Sequence, residues 1–352
     1  MNAEVKELLL AGTVIPAHPL ALDEHLQLDE ACQRRLTRYY LACGVGGLAV
    51  GVHTTQFAIR DPEINLLEPV LRMASEEIDA AKPGRPIIKV AGICGPTGQA
   101  VQEAKLALKY GYDLGLLSLG GLAAFSDDAL IDHVRAIAAI IPVFGFYLQP
   151  AVGGRILSYA FWARMAEIPG VYGIKTAPFN RYQTLDVVRA VCGSTRSNEI
   201  ALYTGNDDNI VADLLTTYRF NIEGQWVEKG FSGGLLGHWA VWTHHAVTLF
   251  ERIKKNRGQS KETHALLTLG TAVTDSNAAI FDPGHQFKGS IAGIQEVLYR
   301  QGLLKGNWCL EEKERLSAGQ AAEIDRVIQQ YPELTDDRFV SNFLAEDAQK
   351  SK

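Results

Sequence analysis

Paired cysteines are what this 352-residue chain most plainly lacks. Its five cysteines, Cys32, Cys43, Cys94, Cys192 and Cys309, are scattered, odd in number and without CxxC spacing. That argues against a disulfide framework or a structural zinc site and suits a reducing compartment. Charge of one sign is not concentrated either. The net charge is −6, and the most basic run, Lys254-Lys255-Asn256-Arg257, is too short for a nucleic-acid stripe and reads as a solvated helix end. Long apolar runs are missing. After Met1 come Asn, Ala, Glu, Val and Lys, then only the short stretch Leu8 to Ala11, which predicts neither a signal peptide nor a membrane span. The expectation is a soluble, cytoplasmic protein that binds neither nucleic acid nor membrane. No glycine-rich phosphate turn follows the first candidate strand, where Pro16-Ala17-His18-Pro19 stands, and Ser232-Gly233-Gly234 lacks a GxGxxG spacing. No cofactor is expected.

What is present is ordinary globular material, 47% hydrophobic and 21% charged, enough for a large core. Short apolar runs alternate with amphipathic segments. Candidate strands are Thr13–Ala17, Gly47–Val52, Pro86–Ala91, Leu114–Ser118, Val143–Tyr147, Val171–Ile174, Ala201–Thr204 and Gly230–Gly234. Most lack polar alternation, as parallel strands buried on both faces do. Helical patterns lie between them, over Asp29–Cys43, Glu63–Ala81, Thr97–Tyr110 and from Ser126 to Ile140. This repetition predicts a (β/α)8 TIM barrel over 1–235. From His238 the strand pattern gives way to helices, predicting a C-terminal helical extension over 236–340 packed on the barrel and a polar tail over 341–352 that frays over Glu346–Lys352. Trp239, Trp242 and Phe250 in that extension are compatible with an interface.

In such a barrel the working residues stand at the C-terminal ends of strands. Lys175 closes the run Val171-Tyr172-Gly173-Ile174-Lys175, just before the strand breaker Pro178. A lysine there either snorkels to water or points its amine into an enclosed space. Burial favours the neutral amine, which attacks carbonyls. Other polar residues at strand ends are His53-Thr54-Thr55-Gln56, Tyr147, and Gly205-Asn206-Asp207-Asp208. One lysine, one phenol and several hydroxyls on one mouth suit imine chemistry on a 2-oxo acid. Lys89 is a mid-strand rival to Lys175. Asp207-Asp208 reads as a helix start. No metal site is expected, because only His18, His53 and Asp207 stand near strand ends, and the adjacent His244 and His245 diverge on a helix.

In these segments the chain resembles the dihydrodipicolinate synthase / N-acetylneuraminate lyase family of class I pyruvate aldolases, over roughly Gly12 to Ile328. The family's Gly-Ile-Lys matches Gly173-Ile174-Lys175, which makes Lys175 the Schiff-base lysine. Its strand-five tyrosine, with Pro three positions on, matches Tyr147 and Pro150. Its Thr-Thr segment after strand two matches His53-Thr54, with Thr55 and Gln56 at its flanking Gly and Glu. Its Gly-Asp-Asp after strand seven matches Gly205-Asn206-Asp207. The resemblance implies a lyase that assembles as a homodimer or homotetramer. Lys175, Tyr147, His53 and Thr54 would be catalytic, and Thr54, Thr55, Gly205, Asn206 and Arg155 would bind substrate. The departures matter equally. Leu119-Gly120-Gly121-Leu122 stands where a relay tyrosine is common, and Val152 stands at the arginine that binds a second substrate. Arg155 either supplies that charge from a shifted position or is a solvated helix start. His53 either takes over the proton relay or only bonds its neighbours. The alternatives to an aldolase are a dehydratase or hydratase using the same imine, and a barrel that binds a carboxylate without turnover.

Overall fold

The computed structural model describes residues 1–350. The apolar runs form β1 (Val14–Pro16), β2 (Gly47–Val50), β3 (Ile88–Ile93), β4 (Leu114–Ser118), β5 (Val143–Leu148), β6 (Val171–Ala177), β7 (Ala201–Thr204) and β10 (Gly233–Leu236). All eight pair in parallel, in the order β1-β10-β7-β6-β5-β4-β3-β2. An Ala17–Ala49 bridge, with the His18 N–H on the Ala49 carbonyl at 2.8 Å, closes β1 onto β2. The chain is a (β/α)8 barrel, as the alternating pattern predicts.

Because successive side chains of a strand point to opposite faces, each strand feeds two cores. Phe144, Phe146 and Leu148 of β5 join Ile15, Leu116 and Tyr203 inside the barrel. Val143 and Tyr147, one step out of phase, join Leu117, Ile174 and Trp162 between the strands and the surrounding helices. Those helices are α2 (Glu30–Cys43), α3 (Leu67–Ala81), α4 (Thr97–Lys109), α5 (Asp127–Ala138), α6 (Tyr159–Ala166), α7 (Arg181–Gly193) and α8 (Ile210–Leu215), and α1 (Ala3–Ala11) precedes β1. Short polar side chains start several of them. Asp29 accepts from the Cys32 N–H at 3.0 Å and Ser126 from the Ala129 N–H at 3.2 Å, caps worth about 1 kcal/mol each.

Three expectations need correcting. Gly230 does not open the eighth barrel strand; it ends β9. The stretch 217–230 is an antiparallel hairpin, β8 (Thr217–Ile222) and β9 (Gln225–Gly230), turning at Glu223 and Gly224, both at positive φ. Tyr218, Phe220 and Ile222 face the barrel and the residues between them face water, so this ribbon alternates where the barrel strands do not. Trp239, Trp242 and Phe250 are no interface: all three are buried in the core of the chain itself. The tail is not frayed over 346–350. It belongs to α13 (Asp337–Lys350), held by an Arg38–Asp347 ion pair at 2.7 Å. The last two residues of the proposed tail lie outside the described residues.

The C-terminal part is helical, with α9 (Thr243–Asn256), α10 (Ser260–Phe281), α11 (Ser290–Arg300), α12 (Gln320–Gln330) and α13. Among the described residues no helix is long and apolar enough to cross a membrane.

His18 sits fully buried at the end of β1, its Nε2 2.9 Å from the Thr37 hydroxyl. Burial pushes its pKa down to about 4 and that of His238 to about 3. The unfolded chain takes up these protons near pH 6.5 and the folded chain resists them, so stability is full above that pH and falls as pH drops toward 4. The unfolding free energy from urea titration is expected to fall between pH 7 and 5, by on the order of 2 kcal/mol for each such histidine. His18→Gln should flatten that slope; an unchanged slope would show that His18 contributes nothing to it.

Candidate active site

The inward positions of β5, β6 and β7 set the centre of the site. In the parallel register Lys175 lies between Phe146 and Tyr203, so all three share the inner face. The Lys175 Nζ lies 4.2 Å from the centre of the Phe146 ring. The amine is held below its ordinary value chiefly by burial, with the charge of Asp207 opposing the shift. Gly205, the first residue after β7, makes room for the chain of the lysine. A Cβ there would sit 2.6 Å from Lys175 Cε and 2.8 Å from Ala177 Cβ.

A cavity enclosing about 590 Å³ of empty space, its mouth included, opens above this lysine. Lys175, Gly205 and Asp207 line it, together with His53 and Thr54 from the single helical turn that follows β2. The His53 imidazole is pushed down to about 4, first by burial and then by the nearby Lys175 charge. It is therefore neutral at physiological pH, with burial and the Lys175 charge both opposing its protonation. The Asp207 carboxyl is raised by burial, against the pull of the His238 N–H, which donates to its Oδ1 at 3.1 Å, and of Lys175. Sequence reading placed Asp207 at a helix start. The structure turns its side chain into the cavity and leaves the capping position of α8 to Asn209.

Several expected site residues are elsewhere. Tyr147 is turned away from the cavity: it pairs with Thr176 rather than Lys175, packs its ring 5.0 Å from Trp162, and bonds only the Leu157 backbone. The inward place beside Lys175 belongs to Phe146. The Thr55 hydroxyl is committed to the turn, donating to the His18 carbonyl at 2.6 Å and accepting from the Gly51 and Val52 N–H groups. Asn206 is fully buried; its amide donates to Asp213 and its Oδ1 accepts from the Phe179 N–H, both at 3.0 Å. Arg155 donates to the Leu122 carbonyl at 2.7 Å and fastens the loop after β4 rather than charging the cavity. Val152, by contrast, does line it. Lys89 is no rival, since its amine bonds Ser75 and Asp79 on α3. Cys94 lies outside the lining, its thiol pushed up to about 11 by burial.

The remaining wall comes from Phe179, in the loop after β6, and from the corner between α10 and α11, with Phe281, Phe287, Ser290, Ile291 and Ile294. The helical extension is thus part of the site. Sequence periodicity had no signal for that, because apolar residues on a helix look the same whether they face a core or a cavity. Among the described residues no three His, Cys, Asp or Glu side chains converge to hold a metal.

The model of the dihydrodipicolinate synthetase family matches residues 11–217. N-acetylneuraminate lyases of Escherichia coli and Citrobacter koseri are 30% identical over 196 and 205 residues, covering 55% and 57% of this chain and 62% and 65% of theirs. The chain therefore matches less than two thirds of the length of these curated relatives. The crystal structure of dihydrodipicolinate synthase from Oceanobacillus iheyensis superposes with a TM-score of 0.72 over 93% of this chain and 99% of that one, at 17% identity, a likeness of fold.

Two substitutions test this geometry. Gly205→Ala should displace the lysine chain and sharply slow its reaction with a carbonyl reagent while leaving the circular dichroism spectrum native; full reactivity would mean that the close approach has slack. Tyr147→Phe should keep activity within a few-fold and lower stability by about 1 kcal/mol, the worth of one buried hydrogen bond. A loss of kcat by a factor of hundreds would put the phenol back in the chemistry.

Proposed function

This chain belongs to the dihydrodipicolinate synthetase family, and on that premise we propose that it is a lyase of the class I aldolase type, acting on a 2-oxo acid through an imine on Lys175. The observation that carries this reading is the lysine itself: one buried amine, depressed by its surroundings, lining the cavity at the inner face of the barrel. A depressed amine is neutral more of the time and attacks a keto carbon.

In the cleavage direction Lys175 adds to C2 of the 2-oxo acid, and water leaves as the imine forms. The protonated imine is an electron sink. A base removes the C4 hydroxyl proton, the C3–C4 bond breaks, its electron pair flows toward the imine nitrogen, and an aldehyde departs. The enamine takes a proton at C3, and water releases the shortened 2-oxo acid. With Tyr147 outside the cavity, the base is neutral His53, and Asp207 is a second proton carrier across from the amine. The Thr54 hydroxyl holds the substrate carboxylate. Dehydration through the same imine would use the same groups, and nothing in the cavity favours it.

Homodimeric or homotetrameric assembly belongs to this reading through the family resemblance. A reducing, cytoplasmic setting belongs to the same reading, through the scattered spacing of the five cysteines in the sequence.

Borohydride reduction in the presence of pyruvate, followed by peptide mapping, is the test. One reduced pyruvyl group on Lys175, absent in Lys175→Ala, is the expected result. Trapping should rise with pH and reach its midpoint below the ordinary lysine value of 10.5. Folded protein that gives no adduct with pyruvate or any larger 2-oxo acid would overturn the imine reading and favour a barrel that binds without turnover.

A further inference from the structure

We propose that the aldehyde half of the substrate is apolar and ring-bearing: the site makes and breaks 4-hydroxy-2-oxo acids whose aldehyde is aromatic, rather than polyhydroxylated or carboxylated. This rests on the imine chemistry proposed for Lys175 and specifies what reacts with it.

The first observation is how polarity is divided along the cavity. The polar side chains on the barrel side of the cavity, Lys175, His53, Thr54, Asp207 and Gln149, lie at or just after the strand ends, where a 2-oxo acid is held. The wall supplied by the loop after β6 and by the α10–α11 corner is Phe179, Phe281, Phe287, Ile291 and Ile294, relieved only by Ser290. Among the described lining residues there is no arginine and no lysine besides Lys175. A second carboxylate would enter an apolar wall with no counter-charge of its own and with Asp207 nearby. A chain of hydroxyls would exchange water for phenyl rings. Both lose hydrogen bonds that the wall does not replace.

The second observation is that the wall is held in place under backbone strain. Phe179 stands at φ 52° and Phe287 at φ 64°, in the left-handed region that bulky side chains rarely adopt. Each is tied there. The Phe179 N–H bonds Asn206 Oδ1 at 3.0 Å, and Asn206 is braced in turn by Asp213. The Phe287 N–H bonds the Asp282 carbonyl at 3.0 Å. The two rings, carried by segments more than a hundred residues apart in sequence, meet at 5.5 Å with planes 68° apart. Edge-to-face packing of this kind readily admits a third ring. Asn206 thus acts on the substrate indirectly, as the residue that presents Phe179.

The test uses the full chain with pyruvate and three aldehydes in the condensation direction: benzaldehyde, glyceraldehyde and succinic semialdehyde. Borohydride trapping of pyruvate on Lys175 is measured alongside and needs no aldehyde. We expect kcat/KM for benzaldehyde to exceed both others by at least about tenfold. In Phe287→Ala and Phe179→Ala it should fall by roughly 10- to 200-fold, the range for lost apolar contacts in a pocket, with much smaller losses for the two polar aldehydes. Phe287→Leu, which keeps an apolar side chain, should retain most of the preference. Trapping on Lys175 in each variant shows that it is folded and competent. A normal adduct combined with equal or better use of either polar aldehyde, with equal losses for all three in the Ala variants, or with turnover of none, overturns the aromatic assignment while the imine stands. Absence of the adduct overturns both.

Discussion

An ammonium group shut away from water loses most of its hydration, and the surroundings of Lys175 are arranged around that penalty. The side chain emerges on the inner face of β6, passes the bare backbone of Gly205 and ends against the Phe146 ring. A ring face returns part of the lost attraction for a cation without fixing the proton, as a paired carboxylate would. Asp207, the acid whose charge acts on Lys175, is itself buried and held toward its neutral form, so it compensates only in part. The outcome is an amine held below the ordinary lysine value, the property on which the proposed imine rests. His53 feels the same field from the other direction: the charge that Lys175 carries is one of the reasons the imidazole stays neutral.

The barrel was legible because its signal is coarse. Runs such as Leu114–Ser118 and Ala201–Thr204 fall where the sequence places them, and Lys175 lies near the end of β6, which runs two residues further, to Ala177, before the breaker Pro178. Phase within a strand was not legible. A strand covered on both faces is apolar at every position, so Val143 to Leu148 carries no alternation to say which residues point inward. Matching Tyr147 through its spacing to Pro150 therefore found the right strand and the wrong face. The register against β6, which sets Phe146 opposite Lys175, is a property of two segments together.

Polar residues at the barrel mouth posed a different difficulty. Loops after strands carry backbone groups that no ladder satisfies, and short polar side chains serve them as readily as they serve a ligand. Thr55, Asn206 and Arg155 are of this kind. Thr54 and Asp207, the immediate sequence neighbours of Thr55 and Asn206, line the cavity instead. Nothing in residue type separates the members of these pairs; the direction of a single turn of backbone does.

The family match stops at residue 217, where β8 begins. Lys175, His53, Thr54 and Asp207 lie before that point, and Phe281, Phe287, Ile291 and Ile294 lie after it. One cavity is thus written in two stretches of sequence, the reacting part in the inherited barrel and most of the apolar wall in the helices that follow. Changes gathered in the later stretch reshape what fits beside the lysine without touching the lysine. On the proposed reading, a substitution in the later stretch alters which molecule fits beside Lys175 while the group that would react stays the same.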